Sequence, residues 1–99
     1  MLMKGLPPMH PGELLREEIL PALGVSKAAL ARNLGISRQV LYDILNEKAP
    51  VTAQMAVRLG KLCGNGPSLW VNLQSAWDIA KAERDLAGEL DRIPNLNVA

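Results

Sequence analysis

A chain of 99 residues with a net charge of +1 can form one small domain with a modest apolar core. It is rich in Ala and Leu, lacks Phe and has few β-branched residues, a balance that favours packed helices over a sheet. Its apolar runs are short and interrupted, so we expect no membrane-spanning segment, no secretory signal and a cytoplasmic location.

Charge is unevenly distributed along the chain. Residues 26–61 hold six basic and two acidic side chains, whereas the rest of the chain holds five basic and eight acidic ones. A basic middle between acidic ends is typical of a protein with one surface that faces phosphate. Scattered solvated charge is the alternative interpretation.

The first predicted helix follows a short irregular segment. Residues 1–9 contain a Pro-Pro pair and are interpreted as a flexible lead-in. "PGELLREEIL" comes next, with leucines at helical spacing and an acidic residue near its start. We expect Pro21 to end this helix, because proline removes a backbone hydrogen bond, and Gly24 to lie in the following turn.

Hydroxyl N-caps mark the starts of the next three helices. Ser26 precedes "KAALARNL", Ser37 precedes "RQVLYDIL" and Thr52 precedes "AQMAVRLGKLC". Gly35 stops the second helix and Gly64 the fourth, as glycines at helix C-termini commonly do. The third helix fades into the loop "EKAPV".

The fifth predicted helix is the longest. It runs from Pro67 to about Leu86, with proline in a favoured position at its start. Residues 10–86 are thus expected to form one all-α domain, a five-helix bundle with an extended last helix. The tail 87–99 is expected to be either disordered or a short strand.

The single His and the single Cys indicate neither a metal site nor a catalytic centre. His10 has no second His or Cys nearby, and Cys63 lies on an apolar helix face, where a free Cys packs like a small hydrophobe. Serines at helix starts are explained by capping, and the adjacent Glu17 and Glu18 do not converge on one site. We therefore expect no enzyme activity, no metal and no cofactor.

The second and third helices form one unit over residues 27–46. Ala31 is small where the two helices would cross, Gly35 accepts the positive φ that closes a tight turn, and Ile36 fills the angle from inside. This is the spacing of a DNA-binding helix-turn-helix.

The outer face of the third helix carries planar hydrogen-bonding groups. Arg suits guanine and Gln suits adenine in the major groove, so Arg38 and Gln39 are candidate base readers. Tyr42 can contact a thymine methyl group or a phosphate. Asp43 either accepts from cytosine or orients Arg38 or Gln39, and we favour the second role because phosphates repel a carboxylate.

Helix ends supply a second set of candidates, for phosphate contacts. Hydroxyls, amides and lysines near helix termini commonly bind phosphate and fix register without reading sequence. The alternative is that they only cap helices and aid solubility. The candidates are Ser26, Lys27, Ser37, Asn46 and Lys48.

Residues 26–64 resemble the Cro/repressor-type (XRE) helix-turn-helix family, in which the third of five helices reads operator DNA. Three stretches narrow the resemblance to the HigA/VapI-type addiction-module antitoxins: "HPGELLREEIL", "ALARNLGISRQVLYDILNEKAPVTAQMAVRLGKLCG" and "PSLWVNLQSAWDIAKA". Two residues depart from the pattern. Lys27 stands where many repressors have Gln, and Gly60 where this group usually has Ala.

The resemblance implies a homodimer that represses its own operon at an inverted-repeat operator. It also implies tight binding to a small RelE-like (HigB-type) toxin, an mRNA nuclease that the antitoxin keeps inactive. Two other functions remain open: a stand-alone XRE-type repressor without a toxin, and a protein-binding module that no longer binds DNA. The near-neutral total charge favours the last of these.

The fifth helix carries a stripe of aromatic and apolar side chains. Trp70 is expected in the core of the chain. Trp77 lies one or two turns further on, beyond the part that a small bundle covers, so Trp77 and Leu73 are predicted dimer contacts. Packing within the chain is the alternative.

Overall fold

The computed structural model describes residues 8–97, and every regular element within them is a helix. The predicted all-α, Cro/repressor-like architecture is therefore confirmed. None of the helices in this range has the length and apolar content needed to cross a bilayer. The predicted lead-in lies outside the described residues as far as residue 7. The elements are α1 (Pro11–Leu14, Leu15–Ile19 and Leu20–Leu23 in succession), α2 (Lys27–Leu34), α3 (Arg38–Leu45), α4 (Ala53–Cys63), α5 (Ser68–Asp85) and α6 (Ala87–Leu90).

Helix α1 does not end at Pro21, and that prediction was wrong. A π-helical turn occupies Leu15–Ile19, and the N–H of Leu20 donates to the carbonyl of Leu15, five residues back. Such a turn shifts the hydrogen-bond pattern and so accommodates a following residue that has no N–H. The helix continues to Gly24, whose φ of +67° closes it in the left-handed conformation.

The predicted caps and stops of α2, α3 and α4 are confirmed. Ser26, Ser37 and Thr52 each accept a hydrogen bond from the N–H three residues on, at 3.0, 3.1 and 3.2 Å. Each bond satisfies one of the amides that a helix start leaves without a partner. Gly35 and Gly64 end α2 and α4 with φ of +73° and +76°.

The apolar core lies where α1 to α5 meet, and Trp70 is at its centre. Trp70 is fully buried, as predicted, and its Nε1 donates to Oδ1 of Asn65 at 3.2 Å. The indole thus packs as a hydrophobe while its N–H stays paired. The other buried apolar side chains are Leu15, Leu30, Ala31, Leu34, Leu41, Ile44, Leu45, Val51, Met55, Ala56 and Leu59.

Two glycines allow backbones to approach closely. A Cβ on Gly12 of α1 would collide with the carbonyl oxygen of Ile44 in α3. A Cβ on Gly60 would collide with the backbone of Gly66 and Pro67, where α4 turns into α5. These contacts seat α1 on α3 and fix the corner before α5.

Helix α5 covers its predicted range, with Pro67 as the N-cap rather than the first helical residue. The beginning of the tail differs from expectation. Residues Ala87–Leu90 form α6 instead of a disordered segment or a strand. The N–H groups of Glu89 and Leu90 both donate to the carbonyl of Leu86, at 2.8 and 2.9 Å, so one carbonyl supports this extra turn.

Candidate nucleic-acid interface

Helices α2 and α3 meet in the tight turn that the sequence predicts. The N–H of Gly35 donates to the carbonyl of Arg32 at 3.2 Å, and that of Ile36 to the carbonyl of Ala31 at 3.0 Å. Ala31 is buried and Ile36 packs half-buried against the core. This pair of helices with a glycine turn is a helix-turn-helix.

One face of α3 packs into the protein and the other faces outward. Leu41, Ile44 and Leu45 are buried, with relative exposures of 2% or less. The opposite side presents the four predicted base readers side by side. Arg38, Gln39 and Tyr42 are exposed, and Asp43 is half-buried. A single helix with such a projecting face fits the width of the major groove.

Two contacts order this outer face. Nε2 of Gln39 donates to Oδ1 of Asp43 at 2.9 Å, the orienting role that we favoured for that carboxylate. Nζ of Lys27 lies 5.8 Å from the centroid of the Tyr42 ring, within cation–π range. The carboxamide of Gln39 keeps its oxygen and a second N–H available for a base edge.

The predicted phosphate contacts all lie at helix ends on the exposed surface. Ser26 and Lys27 are at the start of α2, Ser37 is at the start of α3, and Asn46 and Lys48 follow its end. The two serine hydroxyls already accept cap hydrogen bonds. Each hydroxyl group can still donate a hydrogen bond of its own.

Arg32 is a basic residue near this face that sequence reasoning did not single out. With Arg38 it lines a groove between α2 and α3, whose floor is formed by Ala28, Ala31 and Ile36. The only sequence signal for Arg32 is that it is one of the six basic residues counted over 26–61. Its position one helix away from α3 becomes visible only in the folded chain.

Three further polar residues, also missed, form long-range contacts in the bundle: two of them hold the helix-turn-helix unit, and the third holds the loop after α3. Nη1 of Arg58 in α4 donates to the carbonyl of Leu34 at 2.8 Å, beside the Gly35 turn. Oε1 of buried Gln74 in α5 accepts from the N–H of Val51 at 2.7 Å. Arg16 of α1 reaches the last carbonyl of α3. All three contacts join residues more than 20 positions apart, so no local sequence signal identifies them.

His10 has a structural position rather than a place on the outer face of α3. It is buried as the N-cap of α1, and its Nδ1 accepts from the N–H of Gly12 at 2.9 Å. Burial lowers the pKa of His10 below 6.5, with Glu47 and Asp78 opposing the shift. Its ring forms a T-shaped pair with the indole of Trp77, with centroids 5.1 Å apart and planes at 82°.

That contact changes the expected environment of Trp77. Its indole does not lie beyond the bundle but is half-buried, because His10 and Pro8, just ahead of α1, lie against it. Leu73 is half-buried as well. The remaining surface of Trp77 lines a shallow groove with Pro8, Ala80, Lys81 and Arg84.

Potential metal ligands form no cluster in the described part of the chain. No three His, Cys, Asp or Glu side chains within residues 8–97 gather closely enough to hold a metal ion. Cys63 is half-buried against the core, and burial raises the pKa of its thiol. A raised thiol pKa lowers the fraction of reactive thiolate at neutral pH.

Known proteins are similar to this chain in both sequence and fold. The chain matches the Helix-turn-helix family over residues 15–70. It is 41% identical over 80 residues to virulence-associated protein I of Dichelobacter nodosus, covering 81% of this chain and 74% of that protein.

Two solved structures resemble nearly the whole chain. One is the Pseudomonas aeruginosa antitoxin HigA with the higBA promoter, with a TM-score of 0.84, 36% identity, and coverage of 92% of this chain and 99% of that one. The other is antitoxin GraA in complex with its operator, with a TM-score of 0.84, 41% identity and full coverage of both chains. The chain belongs to the helix-turn-helix family, in the branch that includes the HigA-type antitoxins.

Proposed function

We propose that the chain is a sequence-specific DNA-binding antitoxin that represses its own operon as a dimer and neutralises a small RelE-like (HigB-type) toxin. The observation that carries this proposal is the outward face of α3, on a fold that matches a HigA antitoxin with its promoter over 92% of the chain. The operator is an inverted repeat, because a two-fold dimer presents two copies of α3.

Arg38 and Gln39 read base edges in the major groove, and Asp43 holds the Gln39 carboxamide. Their exposure and the 2.9 Å hydrogen bond between Gln39 and Asp43 support these roles. Tyr42 adds a ring contact beside them. Phosphates are bound by the helix-end set of Ser26, Lys27, Ser37, Asn46 and Lys48, which fixes the register of α3.

The dimer forms through the C-terminal helices. Leu73 and Trp77 contribute the parts of their side chains that remain exposed. A second set of exposed apolar side chains lies on another face of α5 and continues into α6, since Ile79 is about 200° around the helix from Trp77. Ile79 is 58% exposed, Leu86 40% and Leu90 42%, a spacing that suits a helix packed against a second copy.

The chain acts by binding, in the cytoplasm, and not by catalysis. Ser26 and Ser37, the hydroxyls nearest to the outer face of α3, are engaged as helix caps and have no His beside them. The sole His of the sequence is the N-cap of α1. The family is one of DNA-binding regulators, which supports the same view.

Binding to the DNA upstream of the gene tests the proposal. Fluorescence anisotropy with that duplex, and with an unrelated duplex of equal length, should show preference for the upstream DNA. Affinity should fall steeply as salt rises, because bound counterions are released. Failure to bind either duplex at low salt would instead support a protein-binding module.

Co-expression with the neighbouring reading frame tests the antitoxin part. We expect the two proteins to co-purify and the neighbour's growth inhibition to be relieved. DNA binding without rescue would support a stand-alone repressor.

A further inference from the structure

Arg16 of α1 reaches across the bundle to the C-terminal end of α3. Its Nη1 donates to the carbonyl of Leu45 at 2.6 Å and to Oε2 of Glu47 at 3.1 Å. Its Nε donates to Oε2 of the adjacent Glu17 at 2.8 Å. The guanidinium thus joins a helix that bears none of the candidate DNA contacts to the end of the helix that bears the base readers.

The contact completes the hydrogen bonding at the C-terminal end of α3. A helix leaves its last four carbonyls without helical partners. Three of these, on residues 42, 43 and 44, accept N–H groups from the chain that follows, at 2.8 to 3.1 Å. The carbonyl of Leu45 is the fourth, and Arg16 bonds to it. A cation there also suits the negative end of the helix dipole.

Glu47 gives the contact a second role. It lies between Asn46 and Lys48, the two proposed phosphate contacts after α3, and its φ of +61° places it in the left-handed region that L side chains rarely adopt. Its carboxylate would repel DNA phosphates if left uncompensated. Arg16 pairs with it where both side chains are partly shielded, 35% and 28% exposed.

Helix α1 touches two successive carbonyls of α3. Gly12 lies directly against the carbonyl of Ile44, and Arg16 bonds to that of Leu45. Since α3 has eight residues, it is ~12 Å long, and a tilt of about 10° at its last turn moves its first turn by ~2 Å. Base recognition tolerates less than that displacement.

We propose that Arg16 is a positioning residue for operator recognition, which holds the end of α3 and neutralises Glu47 without touching DNA. This role rests on the proposed DNA-binding function. The positioning role makes a prediction of its own: loss of Arg16 should lower the discrimination between operator and unrelated DNA while the protein stays folded. A residue that serves only stability would leave that ratio unchanged in the folded protein.

The test compares the parent, Arg16→Gln and Arg16→Lys for affinity to upstream and unrelated duplexes at one salt concentration. Circular dichroism confirms folding. We expect Arg16→Gln to lose about tenfold in upstream affinity, the worth of a hydrogen bond to a charged group, and less for unrelated DNA. The upstream affinity of Arg16→Lys should lie between those of the parent and Arg16→Gln, since lysine keeps the charge but lacks the forked geometry of the guanidinium.

Glu47→Gln supplies the second arm of the experiment. Combined with Arg16→Gln, it should restore part of the lost affinity, because the uncompensated carboxylate is gone. Arg92→Gln is the matched control: it makes the same substitution at an exposed arginine beyond α6 and should leave both affinities unchanged.

Each result decides between defined conclusions. If the parent binds upstream DNA and folded Arg16→Gln binds both duplexes as the parent does, the positioning role is wrong and the proposed function stands. An equal loss for both duplexes would also overturn it. If the parent binds neither duplex, the proposed function fails and the role of Arg16 with it. If Arg16→Gln does not fold, the same ratio measured on Arg16→Lys decides.

Discussion

Arg38 and Lys48 are both exposed cations near α3, yet they occupy different places on it. Arg38 is in the first turn of the helix, where side chains can enter a groove, and Lys48 is in the loop beyond its end. A groove contact carries sequence information and a phosphate contact does not.

Arg38→Ala should therefore change base preference, whereas Lys48→Ala should change the affinity for all DNA. Arg38→Ala should flatten the preference at one base pair in each half-site by about 1–3 kcal/mol. Lys48→Ala should weaken all duplexes about equally and reduce the salt slope by about one. A panel of single base-pair substitutions, titrated at two salt concentrations, checks both. Identical base preferences in the two variants would contradict the assigned roles.

We expect His10 to make the free energy of unfolding depend on pH. Burial lowers its pKa below 6.5, so the unfolded chain takes up a proton before the folded chain does as the pH falls. The free energy of unfolding should be level above about pH 7 and decline below 6.5. A protonated ring would also lose the Nδ1 acceptor that caps α1.

Urea unfolding between about pH 7.5 and about pH 5.5 measures this decline. His10→Asn is the control, because its side-chain oxygen retains a cap acceptor and does not titrate. The variant should lose the slope near pH 6. An equal slope in both proteins would assign the pH dependence to other groups.

At the scale of elements, the seating of α1 on α3 depends on Gly12. Gly12→Ala would push a Cβ into the carbonyl of Ile44, so we expect destabilisation of about 1–3 kcal/mol. Gly88→Ala is the matched control in α6, where an added Cβ meets open space, and it should stabilise slightly. Thermal unfolding of both variants measures the difference. A Gly12→Ala protein as stable as the parent would show that α1 can shift without cost.

Sequence reasoning succeeded for elements whose causes are local. A cap joins a side chain to an N–H three residues away, as at Ser37, and a stop such as Gly35 needs only its own φ. The outward face of α3 follows from helical spacing in the same way. Everything needed for these predictions lies within one or two turns of chain.

It failed where the cause lies elsewhere in the fold. Nothing near Pro21 in the sequence marks the π turn that lets α1 pass through it. Arg16 and Gln74 look like surface residues, and only packing brings them to backbone groups 29 and 23 positions away. Trp77 was placed outside the bundle because the covering His10 is 67 residues ahead of it, a separation that periodicity does not address.

At the scale of the whole molecule, the basic surface of α2 and α3 is separate from the apolar surface of α5 and α6. A two-fold dimer built on the latter leaves both copies of α3 free. Half-sites one helical turn apart, ~34 Å, then set the operator spacing. The rest of the chain is acidic overall. The basic surface of α2 and α3 is therefore the part of the protein that attracts phosphate.

Ile79→Asp should weaken the dimer and, with it, binding to the full operator more than to a half-site. A buried unpaired charge at an interface is strongly unfavourable. Val57→Asp is the matched control, since Val57 on α4 is also 58% exposed. Light scattering over a range of protein concentrations reports the dimer. If Val57→Asp changed the assembly and Ile79→Asp did not, the dimer interface would lie on α4 instead.

The π turn in α1 has a consequence for how this chain tolerates changes in length. Each residue advances a helix by about 100°, so deleting one residue from 15–19 would restore a regular spiral but swing everything ahead of it around the axis. His10 and Gly12 would then point away from their neighbours. Insertions and deletions should accordingly accumulate in the connecting loops during evolution, while the number of residues in this first helix stays fixed.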